Sequence, residues 1–182
     1  MKRIMMKINQ KYWLIGIIIF ATLIIGIIVL SGCLQQKTIS YPQFYIRYHY
    51  TAEATYQDIE INKSKLIYTY FPEEIAKEKC AWGMIQSPCW TEKDLRIKEA
   101  ILSEDEINDL ISLINETDFM NLKSTYGRAS QYQRYYPYKL FVKIGEKQKE
   151  VVYQSFPGAS PMPEAFRKVK DKLFKLIDEK FK

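Results

Sequence analysis

Apolar and polar positions alternate with a period of two in "FYIRYHY", which sets Phe44, Ile46, Tyr48 and Tyr50 on one face and Tyr45, Arg47 and His49 on the other. That is the period of a strand in a sheet with one face covered. His49, the only histidine, falls on the wetter face, where it reads as an ordinary surface residue. "QDIEI" and "KLIYTYF" follow on either side of Asn62, Lys63 and Ser64 and predict a hairpin, which Pro72 ends. "DLRIKEAIL" alternates once more, through Leu95 and Ile97.

The period then lengthens to that of a helix. Ser103 with Glu106 three residues on predicts a capping box, and Ile107, Leu110, Ile111 and Ile114 recur behind it at helical spacing. Glu104, Asp105 and Glu106 belong to the first turn, where carboxylates satisfy free backbone donors, so they read as a helix start and not as a metal or catalytic cluster. Phe119, Met120 and Leu122 are expected to tuck the next turn onto the core. "YGRASQYQRYYPY", Tyr126 to Tyr138, keeps neither period and predicts a loop. "YKLFVKI" and "KEVVYQSF", joined across Gly145 to Gln148, predict a second hairpin. A last helix beginning at Pro163 or Glu164 lays Phe166, Val169, Leu173, Leu176 and Ile177 on one face. The order predicts an α+β domain over residues 44–182, a mostly antiparallel sheet with two amphipathic helices packed on one face.

Ahead of this domain lies a different pattern. Trp13 to Leu30 is an 18-residue run without a charge. As a helix it would span about 27 Å, close to the roughly 30 Å of a hydrocarbon core. Lys2, Arg3, Lys7 and Lys11 precede it, which predicts a cytoplasmic N-terminus and a domain on the outer face of the membrane. The length favours an uncleaved transmembrane anchor over residues 1–32, whereas small residues before a cut are the mark of a signal peptide. Leu30, Ser31, Gly32 and Cys33 resemble the lipobox of prokaryotic membrane lipoproteins. That resemblance implies cleavage before Cys33, a lipid on its sulfur, a mature chain of 150 residues, and a linker from 33 to 43.

Cysteine count bears on the same point. Three cysteines in an exported chain leave one over after pairing, and a lipid on Cys33 would account for it. Cys80 and Cys89 are then expected to form a disulfide, since redox motifs and zinc sites want other spacings and more ligands. Trp82 within that loop and Trp90 just after it are expected to pack against the disulfide.

Four of the 27 basic residues lie in the first 32, leaving 23 against 21 acids, so the domain itself is nearly neutral and no nucleic-acid partner is expected. The lysines of the last helix read as a solvated face. No phosphate-cradling glycine cluster, nucleophile elbow, catalytic set, metal site or cofactor motif is found, which leans away from an enzyme. Tyr126, Arg128, Tyr132, Arg134, Tyr135 and Tyr136 form the candidate recognition surface, because tyrosine and arginine bury large area behind a polar tip. Asn62 and Asn115 begin Asn-x-Ser/Thr triplets and could carry glycans.

The layout resembles the small extracytoplasmic domains of many prokaryotic lipoproteins, which implies no activity. The expectation is a membrane-tethered extracytoplasmic binding module, held by membrane lipid through its N-terminal anchor and meeting an envelope protein partner. A surface hydrolase, or an inhibitor of one, is the alternative.

Overall fold

In the computed structural model, residues 43–80, 88–127, 130 and 134–182 are described. The apolar run, Cys33, Trp82, Arg128 and Tyr132 lie outside them.

Among the described residues seven strands form one sheet, in the order β4-β3-β2-β1-β6-β7-β5. Strands β1 (Phe44–Ala52), β2 (Thr55–Asn62), β3 (Lys65–Tyr70) and β4 (Arg96–Ile101) make an antiparallel meander. The hairpin of β6 (Tyr136–Ile144) and β7 (Lys147–Ser155) adds to the other side of β1. β5 (Thr125–Tyr126) closes that edge as the sheet's parallel strand. Alternation explains the burial: Phe44, Ile46 and Tyr48 of β1, Ile59 and Ile61 of β2, Leu140 and Val142 of β6 and Val151 of β7 all point to the same side.

Two long helices supply the cover. In α2 (Glu104–Glu116) the Ser103 side chain caps the Glu106 amide at 3.3 Å and Glu106 returns to the Ser103 amide at 2.7 Å, the reciprocal pair the sequence predicts. Ile107, Leu110 and Ile114 are buried there, and Phe119 just beyond is fully buried. α3 (Glu164–Lys180) buries Phe166, Val169, Leu173, Leu176 and Ile177, the face expected from its spacing. These side chains join the inward strand residues in a single cluster, and Tyr48 meets Phe174 edge-on at 5.4 Å. Each such large side chain contributes about 1.5–3 kcal/mol by leaving water.

The structure corrects the reading at two places. A third helix, α1 (Glu73–Lys79), follows Pro72; it buries nothing, so it carries no apolar stripe to reveal it. The stretch expected as a loop begins and ends in strands: Tyr126 belongs to β5, and Tyr136, Pro137 and Tyr138 belong to β6. On that strand Tyr138 stacks against Tyr50 at 4.0 Å. The alternation through Ile97 does form a strand, β4, on whose uncovered side Ile97 is 64% exposed. Among the described residues no helix is long and apolar enough to cross a membrane.

Cys80 and Cys89 stand at disulfide distance, with Cα atoms 5.5 Å apart. Their neighbours brace the same neck. Lys79 pairs with Asp94, the Cys89 amide donates to the Glu53 carbonyl at 3.1 Å, and the Trp90 indole N–H donates to the Ala52 carbonyl at 3.1 Å. Hydrogen bonds from Lys79 and Thr91 hold the Asp94 carboxyl down at about 2.

Candidate functional site

The sheet face turned away from α2 and α3 carries the charged chemistry. Register places it: His49 on β1 lies opposite Asp58 on β2 and Lys139 on β6, while Arg47 lies opposite Glu60 and Phe141. Asp58 is only 7% exposed although it lies on this face. A carboxylate so far withdrawn from water must be paired. Arg47 supplies a forked contact, Nε at 3.1 Å and Nη2 at 2.8 Å, and His49 Nδ1 lies 2.8 Å from the same carboxylate.

Burial pushes the Asp58 pKa up, but the hydrogen bonds from His49 and Arg47 outweigh it, and the net shift is downward. Asp58 is therefore ionised at neutral pH. An ionised partner only accepts, so the His49 Nδ1 carries the proton and donates it. The same carboxylate pushes the Arg47 guanidinium above its already high value.

Aromatic rings extend this triad in both directions. Phe141 meets Tyr45 edge-on at 5.8 Å on one side; on the other, His49 meets Tyr56 at 5.5 Å and Tyr56 meets Trp90 at 4.9 Å. A band of alternating rings and hydrogen-bonding groups thus crosses the open face as far as the disulfide neck. Beside it lies an open depression of about 350 Å³ lined by Arg47, His49, Lys139, Phe141 and Glu150. A slightly larger hollow, about 400 Å³, lies between the end of α2 and the β6–β7 turn around Asn115, Asp118 and Lys147. It is the weaker candidate, because its Asn121 amide is spent on Asp118 at 2.7 Å and no buried charge organises it.

The expected recognition residues are divided by the fold. Arg134, Tyr135 and Tyr136 line a hollow of about 360 Å³ with Glu53 and Pro88, where Arg134 pairs with Glu53 and sits 5.5 Å from the Tyr136 ring. Tyr126 is elsewhere, partly buried against the core, its hydroxyl accepting from the Lys123 amide at 3.0 Å. Arg128 and Tyr132 lie outside the described residues. Asn62, at the end of β2, and Asn115, near the end of α2, are both exposed.

Nothing in the sequence pattern singles out Asp58, and the same pattern makes His49 an ordinary surface residue. Arg47 and His49 share a face by parity, and that much is visible in "FYIRYHY". The acid that joins them comes from the next strand, and only the pairing register brings it opposite. Among the described residues no group of three or more His, Cys, Asp and Glu stands together as a metal site would require. Compared with known proteins, the chain matches no family model and no curated sequence.

Proposed function

We propose that this chain is a membrane-tethered extracytoplasmic binding module, and that its ligand or partner docks on the open sheet face over Arg47, His49 and Lys139. The observation that carries the reading is the buried Asp58 carboxylate, which holds Arg47 and His49 in fixed poses beside an open depression. Such a pair costs more than a neutral surface would, and a preorganised donor set flanked by rings favours a polar partner with an anionic group. Lys139 lies exposed on the rim and adds to the same preference. Tethering is supported by the apolar run and the lipobox-like Leu30 to Cys33, from which we infer a domain at the outer face of a cell membrane.

A surface hydrolase, or an inhibitor of one, is the second reading, and the His49–Asp58 contact favours it because an acid that orients a histidine is half of a general-base device. Among the described residues the hydrogen-bond partner of that ring is Asp58, 2.8 Å from Nδ1.

Two measurements test the proposal. The intact mass of the native protein drawn from membranes should start at Cys33 with a lipid added; an unlipidated full-length mass would replace lipid anchoring with a spanning helix. Lys139→Glu should abolish capture of the partner from native membranes with the melting temperature unchanged. Capture that survives the charge reversal would remove this face from the proposal.

A further inference from the structure

Among the described residues β4 is the outer edge of the sheet. Among the described residues β4 pairs with β3 alone, and its two isoleucines on the uncovered side, Ile97 and Ile101, are 64% and 67% exposed. Ile67 on β3 lies between them, opposite Glu99. An edge strand with a same-face pair of bare isoleucines invites a further strand.

Hydrogen-bond parity fixes what that strand must offer. The Leu102 amide donates to the Ser64 carbonyl at 2.8 Å, so in this antiparallel ladder residues 102, 100, 98 and 96 turn their backbone groups toward β3. Ile97, Glu99 and Ile101 therefore turn theirs outward. In a second copy of β4, run antiparallel about a two-fold axis through Glu99, that outward set maps onto itself: Ile97 faces the copy's Ile101, and Glu99 faces the copy's Glu99. All three outward residues then find backbone partners, and each exposed isoleucine covers another. Shifting the axis by one residue opposes Ile97 to Glu99 and leaves one isoleucine outside the match. Glu99 meeting its copy is the one unfavourable contact, and Lys65, 2.9 Å from Glu99, brings a compensating cation to each.

We propose that β4 is a homodimer edge, at which two copies of this chain join their sheets through the Ile97–Glu99–Ile101 register. The partner is a second copy because the outward residues complement themselves. Both domains keep their α2 and α3 on the same side of the joined sheet, and the two open faces become continuous.

Single cysteines in the full chain, oxidised mildly in native membranes, test the register. Cα atoms of a hydrogen-bonded antiparallel pair are about 5.5 Å apart, within reach of a disulfide. Glu99→Cys should run at twice the monomer mass without reductant, several-fold above the unchanged chain, which controls for Cys33. Ile97→Cys alone should stay monomeric, and mixed with Ile101→Cys it should cross-link. All three positions are exposed on an edge, so folding is retained, which melting of each variant confirms. A monomeric Glu99→Cys chain would overturn the proposal. So would Ile97→Cys self-cross-linking as well as Glu99→Cys, or a Glu99→Cys adduct with a different protein.

Discussion

On β1, Phe44, Ile46 and Tyr48 lie in one core with the apolar faces of α2 and α3, whereas Tyr45, Arg47 and His49, each one residue further on, face away from it. The covered side is apolar and close-packed, and its energy comes from area removed from water. The other side spends energy: it withdraws a carboxylate from solvent and must recover the cost through Arg47 and His49. A face built only for stability would carry scattered surface charge there. The difference between the two sides is the reason for proposing that a partner binds on the second.

The contrast is sharpest in substitutions. Phe166→Ala on the covered side should cost about 3–5 kcal/mol in urea unfolding, while Phe141→Ala on the open side should cost under about 1 kcal/mol. Equal losses would make the open face a second core. Reducing Cys80–Cys89 should cost about 2–3 kcal/mol on the chain-entropy model while leaving the band from Tyr45 to His49 in place, read as unchanged His49 chemical shifts.

Asp58→Asn comes next, at about 1–2 kcal/mol, because Arg47 is half exposed and water takes back part of what the carboxylate supplied. Its pH dependence has a definite sign. A carboxyl whose folded pKa is depressed binds fewer protons than in the unfolded chain, so its stabilisation is full above the unfolded value near 4 and is lost as pH falls through the lower folded value. The gap between wild type and Asp58→Asn in urea midpoint should close on acidifying from pH 7 to below the depressed folded value. A constant gap would mean that the ion pair is not what Asp58 contributes. Smallest is Arg134→Ala, whose exposed pairing with Glu53 is worth about 0–1 kcal/mol; it should also leave partner capture intact, which separates the tyrosine-rich end of β6 from the open face.

The covered side was legible in the sequence. Ser103 with Glu106, the isoleucines of α2 and the Phe166 to Ile177 stripe each follow from a local period, and local periods are what a chain displays. The open side was not, because Asp58 meets His49 through register between two strands. Tyr126 was misread for a related reason: β5 is two residues long and is held by pairing with β7, where Gly127 at φ +78° would place any Cβ 2.2 Å from the Gln154 carbonyl oxygen. Such non-local pairings leave no period behind.

Site-resolved photo-cross-linking in native membranes tests the central claim most directly. With a photoreactive residue in place of Lys139 on the open face, the full-length chain should form a discrete adduct, and with the same residue at Lys175 on the outer surface of α3 it should form none. An adduct at Lys175 and none at Lys139 would put the binding surface on the helices and contradict the account.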